Sequence, residues 1–98
     1  MPDFRDVDPR ELRVPPSRRQ GADPAKLQRQ IALFGRSAVG MPPPWVYEGT
    51  DGTLVLYNGV TRATRIAKLA PGTLIRVEVI GKLSKAFASE PTIGDLLP

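Results

Sequence analysis

A glycine between a strand-like run and a basic, helix-like run is where this sequence comes nearest to chemistry. Leu54-Val55-Leu56-Tyr57 is followed by Asn58-Gly59, and Val60-Thr61-Arg62-Ala63-Thr64-Arg65 then opens a segment with helical spacing. A helix start carries unpaired amides and the positive end of the helix dipole, so a phosphate or carboxylate is stabilised there. Gly59 lets such an anion approach, Thr61 supplies a donor, and Arg62 can pair with two oxygens at once, with Arg65 one turn further on. The competing reading needs no ligand. In it Asn58-Gly59 only reverses the chain, and Arg62, Arg65 and Lys68 form a solvated helix face. On these residues alone the solvated face is the simpler reading, and the anion site stays open beside it.

Other chemistries are narrowed by what the 98 residues lack. With no His and no Cys, Ser-His-Asp and Cys-His catalysis, His or Cys metal sites, thiol redox chemistry and disulfides are all excluded. Carboxylates, Lys, Tyr, Ser and Thr remain. Asp51, Glu48 and Glu78 are the carboxylates that can approach one another near the hairpin and last strand, whereas hydrolytic metal sites need at least two that converge. Asp51, followed by Gly52, reads as a turn residue. Trp45 and Tyr47 alternate with Val46 and so share a strand face, where they either stack a base or fill the core, with core packing the favoured reading.

The elements that must position these residues follow from pattern and punctuation. The length fits one domain, and the apolar fraction of 41% against 24% charged describes a globular chain. Fourteen basic and ten acidic residues give a net charge of +4, favouring anionic partners without requiring one. The windows Arg10–Arg36 and Arg62–Lys85 each carry +5, as seven basic against two acidic and six against one. No run approaches the ~18 apolar residues of a membrane span. The first residues lack an apolar leader, so a cytoplasmic protein is expected. Residues 1–10 are polar, and Glu11–Val14 reads as an edge strand stopped by Pro15-Pro16. Asp23-Pro24 starts a helix whose core stripe is Leu27, Ile31 and Phe34, with Lys26, Arg29 and Arg36 left in water. Gly35 and Gly40 close that region, and Pro42-Pro43-Pro44 holds the chain extended. Trp45–Glu48 and Thr53–Tyr57 form a hairpin around Asp51-Gly52. A second amphipathic helix follows Gly59, burying Val60, Ala63, Ile66, Ala67 and Ala70, until Pro71-Gly72 ends it and Thr73–Ile80 forms a last strand. From Gly81 onward lies a tail in which Ile93, Leu96 and Leu97 make one helical turn docked on the body or on a partner. The boundaries are thus 1–83 for the domain and 84–98 for the tail.

The order of these elements resembles the ParB N-terminal, sulfiredoxin-like superfamily, which includes the ParB-like nuclease domain. The resemblance covers residues 8–81 through Arg18-Arg19-Gln20, Leu27 to Gly35, Pro44-Trp45-Val46-Tyr47, Asp51 to Tyr57, Asn58-Gly59-Val60-Thr61-Arg62 and Ile75-Arg76-Val77-Glu78-Val79. It implies an α+β fold with a small mixed sheet of about four strands and two packed helices. It also implies a nucleotide or nucleic-acid phosphate site at the helix start, where partition-type members bind CTP and sulfiredoxins bind ATP, with Mg2+ accompanying the nucleotide. By position Gly59 matches the close-approach glycine, Arg62 the motif arginine, and Arg18 and Arg19 the family's first box, which faces the same pocket. Departures matter as much. Without cysteine, sulfiredoxin repair chemistry is excluded. Of the Glu-Arg-Arg run usual in partition-type members only Arg62 survives, Arg65 stands where a small residue is usual, and Asn58 replaces the acidic residue of nuclease-like members. A helix-turn-helix for reading a DNA site is not expected in so short a chain.

The leading expectation is therefore a ParB-like nucleotide or nucleic-acid phosphate-binding module, non-catalytic or weakly catalytic, with Asn58, Gly59, Thr61, Arg62 and Arg65 at the turn and Arg18 and Arg19 on the rim. The alternative is a protein-interaction adaptor that retains the fold without the ligand, working through Trp45, Tyr47 or Leu96-Leu97. A ParB-like nuclease is the third reading. Oligomeric state is left open.

Overall fold

The Asp51-Gly52 turn organises the hairpin as its composition predicts. In the computed structural model, which describes residues 1–97, strands β2 (Trp45–Glu48) and β3 (Leu54–Asn58) pair antiparallel. Their turn is closed by the Gly49 amide donating to the Thr53 carbonyl at 2.9 Å. Asp51 serves this turn, its Oδ1 accepting from the Thr53 hydroxyl at 2.6 Å and from the Thr53 amide at 3.2 Å. Its other oxygen accepts from the Ala88 amide at 3.0 Å, tying the hairpin to the C-terminal segment.

Two further strands complete a mixed sheet. β4 (Ile75–Lys82) lies parallel to β2 and antiparallel to β1 (Asp3–Val7), giving the order β1-β4-β2-β3. β1 corrects the reading of residues 1–10 as merely polar. Its sequence, Asp-Phe-Arg-Asp-Val, is stabilised through the backbone ladder to β4, and charged side chains suit an outer strand because they discourage pairing with another chain. The edge strand expected at Glu11–Val14 is corrected too. Glu11 ends a 3-10 turn, and only Arg13 makes a bridge, to Val55 on one side and Thr92 on the other. Leu12 and Val14 on either side of it are fully buried, so this segment threads the interior.

Helix α1 (Pro24–Phe34) begins as the Asp-Pro pair dictates, Asp23 accepting from the Ala25 amide at 3.0 Å and Pro24 occupying the first turn. It ends at Gly35, whose positive φ of 56° is one that glycine adopts readily. The expected core stripe is only half right: Leu27 and Ile31 are half-buried, Phe34 is exposed, and no residue of α1 is fully buried. The core instead gathers on α2 (Val60–Leu69), whose Val60, Ala63, Ile66 and Ala67 pack with Val46, Leu56, Ile75 and Val77 of the sheet. Leu12, Val14 and Ile93 complete it. Ile93 belongs to α3 (Ile93–Leu96), a single turn held by a Thr92–Asp95 capping box. The Ile93 amide donates to the Leu12 carbonyl at 2.9 Å and Val14 donates to Pro91 at 2.9 Å, so this turn docks on the body. Over the described residues the fold is α+β, a four-stranded mixed sheet with three α-helices. Among the described residues no helix is long and apolar enough to cross a membrane.

Candidate functional site

The turn from β3 into α2 is built around Gly59. Its φ of 100° is left-handed, and a Cβ there would lie 2.8 Å from the Pro44 Cβ and 2.8 Å from the Arg62 Nη2, so only glycine fits without displacing its neighbours. No side chain caps α2. The first helical hydrogen bond runs from the Ala63 amide to the Gly59 carbonyl at 3.0 Å, which leaves the preceding amides of the first turn without helical partners. Asn58 does not take up those amides. Its Oδ1 accepts from Arg62 Nη2 at 3.1 Å, fixing the guanidinium over the helix start.

A cavity of about 380 Å³ opens at this point, lined by Arg18, Lys26, Gln30, Tyr57 and the Asn58–Arg62 turn. Three cations from three separate segments therefore converge: Arg18 from a short 3-10 turn (Pro16–Arg18), Lys26 from α1 and Arg62 from α2. Among the described residues no carboxylate lines the cavity. Among the described residues none of the three cations forms a salt bridge; the ion pairs lie elsewhere, on Arg5, Arg76 and Lys82. Partial burial pushes the Arg62 guanidinium below its ordinary pKa, because desolvation penalises a charge that has lost water and gained no counter-ion. The group remains charged at neutral pH.

Of the residues expected at the site, Asn58, Gly59, Thr61, Arg62 and Arg18 line one cavity. Arg19 does not; with Arg18 it borders a neighbouring open depression between Pro16 and Lys26. Arg65 departs furthest from both of its readings, being neither solvated nor turned to the cavity. It is 1% exposed, its Nη1 donates to the carbonyls of Gly35 at 2.8 Å and Ser37 at 2.7 Å, and its Nη2 lies 3.4 Å from the Met41 sulfur. Its guanidinium carbon stands 5.4 Å from the Phe34 ring centre. Arg65 is thus a clamp that satisfies carbonyls at the end of α1. The chain after α1 folds over the helix face that periodicity assigned to water.

Three lining residues escaped the sequence reading: Lys26, Gln30 and Tyr57. Lys26 and Gln30 are spaced i, i+4, which places them side by side on α1, and that spacing was the available signal. On the other side of Gln30 and Arg62 lies a second, mainly apolar cavity of about 250 Å³, walled by Phe34, Val39, Met41 and Pro42. Trp45 and Tyr47, favoured as core, are also corrected. Trp45 is exposed, and Tyr47 lies half-buried with its ring over Gly81 and edge-on to Tyr57 at 5.6 Å.

Among the described residues no group of three acidic side chains is arranged to hold a metal ion. Magnesium accompanying a nucleotide would be held by phosphate oxygens and water, since the cavity offers it no carboxylate. No protein-family model matches the chain, and no curated protein matches it either.

Proposed function

We propose that this chain is a nucleotide or nucleic-acid phosphate-binding module, as its resemblance to the ParB N-terminal, sulfiredoxin-like superfamily implies, with the phosphate at the N-terminus of α2. One observation carries this reading. Arg18, Lys26 and Arg62 converge on an uncapped helix start with no carboxylate among the lining residues. Like charges brought together repel, and the helix dipole adds to the same sign, so the arrangement is stabilised by an anion arriving from outside. Arg62, already held by Asn58, presents its guanidinium in a fixed orientation for two phosphate oxygens, and the Thr61 hydroxyl and first-turn amides supply further donors. The apolar cavity sharing Gln30 and Arg62 favours an organic phosphate over the inorganic ion. Among the described residues the phosphate cavity is lined by no carboxylate, histidine or cysteine, the side chains that most often serve as general bases. Binding without turnover, or with slow turnover, is the expected behaviour.

A thermal-shift panel of CTP, ATP, GTP and tripolyphosphate at low salt, with and without Mg2+, tests the reading, because a ligand bound only to the native state raises its stability by mass action. At a hundredfold excess over Kd the gain is about 2.7 kcal/mol. Loss of the shift in Arg62→Ala is the supporting result. Silence across the panel, or an undiminished shift in the variant, overturns it and leaves the adaptor reading in its place.

A further inference from the structure

One face of the sheet packs Val46, Leu56, Ile75 and Val77 into the core, while the opposite face remains open at Phe4, Trp45, Tyr57 and Ile80. Four of the protein's six aromatic side chains, Phe4, Trp45, Tyr47 and Tyr57, belong to this open face. Register places Phe4 and Trp45 on either side of Glu78 in one cross-strand row. Tyr57 joins that face to the cation-lined cavity, since it stands in the cavity wall and meets Tyr47 edge to face. Exposed aromatic rings and adjoining free cations match the two halves of an unpaired nucleotide, a base with two π-faces and a charged phosphate.

We propose that this open face binds a single-stranded nucleic acid, with one backbone phosphate at the α2 N-terminus and successive bases stacked across Tyr57, Trp45 and Phe4. The proposal rests on the phosphate-binding reading above and adds the partner to it. Charge chooses this occupant over a second copy of the chain: the rim carries Arg18, Lys26 and Arg62 and the molecule is +4 overall, so self-association would bring like charges together. A duplex is disfavoured because its bases are already stacked on one another and unavailable to the rings. Glu78, the carboxylate between Phe4 and Trp45, repels phosphate from the middle of the row and leaves that stretch to bases.

Trp45 is the single tryptophan and reports on the face directly. The protein is titrated with an oligonucleotide of about ten nucleotides, within the site sizes of single-strand binders, with its blunt duplex, and with tripolyphosphate. The single strand is expected to quench Trp45 fluorescence, while tripolyphosphate binds without quenching and the duplex binds more weakly. By anisotropy, Trp45→Ala and Phe4→Ala each weaken the single strand about tenfold and leave tripolyphosphate affinity unchanged. Phe4 lies on an outer strand and tests the proposal should Trp45→Ala fold poorly. If tripolyphosphate binds but the single strand neither quenches Trp45 nor responds to the two variants, this proposal is wrong and the phosphate site stands. If neither ligand binds, both fall. Reversible dimerisation that shields Trp45, seen by sedimentation, also overturns the proposal by assigning the face to self-association.

Discussion

Arg65 and Arg62, three residues apart on α2, both border the apolar cavity beside α1, and their surroundings give them different work. Around Arg65 the chain leaving α1 turns its Gly35 and Ser37 carbonyls inward, and the guanidinium donates to both. Around Arg62 the phosphate cavity opens, and its other charged members, Arg18 and Lys26, are cations as well. One arginine is 1% exposed and matched to backbone acceptors; the other has a single neutral partner, Asn58. An identical side chain is therefore structural where backbone acceptors surround it and available for a ligand where they do not. Desolvation depresses both pKa values, so titration does not separate the two roles. Partners do.

The largest way to break this contrast is at the clamp. Arg65→Ala strands two carbonyls and empties a packed position, and a loss of about 3 kcal/mol is expected in urea unfolding. Arg65→Lys should recover only part of it, since an ammonium cannot fork between carbonyls and lie flat against Phe34. Next in size is Gly59→Ala, which forces a side chain into a left-handed φ and against Pro44. A loss of about 1–2 kcal/mol is expected, together with weakened phosphate binding, because the same Cβ displaces Arg62. Arg62→Ala sharpens the comparison from the other side. Its stability is expected to change by less than about 0.5 kcal/mol while the ligand-induced thermal shift disappears, the reverse of the Arg65 result.

The smallest effect concerns acid. The Arg5 guanidinium, 2.9 Å from Glu48, holds that carboxyl below its ordinary pKa. The Thr53 hydroxyl, with backbone amides, does the same for Asp51, and the Thr92 amide and hydroxyl do so for Asp95. A carboxyl whose folded pKa is depressed contributes stability that is complete above its unfolded pKa of about 4 and is lost as pH falls through the folded value. Urea midpoints should therefore hold from neutrality to about pH 5 and decline below about pH 4, and Glu48→Gln should flatten part of that decline. Among the described residues the cation-lined cavity has no carboxylate in its wall. The protein's own side of phosphate binding should thus stay constant over the range in which the fold begins to weaken.

Legibility followed the range of the forces involved. The Asp23-Pro24 start, the Asp51-Gly52 turn, the helix after Gly59 and the turn at Ile93 were all readable, because capping, turn chemistry and period act over a few residues. β1 was not, since its polar residues form a strand only by pairing with β4, more than sixty positions away. The α1 stripe misled in the opposite direction. Its spacing describes a face correctly but says nothing of how deeply the helix sinks, and Phe34 ends against Arg65 at the surface. Within the candidate site, the Asn58–Arg62 turn was legible as a local motif with Tyr57 directly before it in the chain, whereas Lys26 and Gln30 join it only through the approach of α1.

What the sequence determined by itself is the hairpin, the two longer helices and the position of a helix start directly after a glycine, because turn residues, helix period and glycine punctuation are all local. What only the tertiary structure decided is which side chains share that start, which arginine is used up by backbone carbonyls, and which face of the sheet keeps its aromatics in water. Those outcomes depend on how α1 and the chain after it cross α2, and no periodicity within either helix encodes that crossing. Burial is a property of the neighbour as much as of the residue.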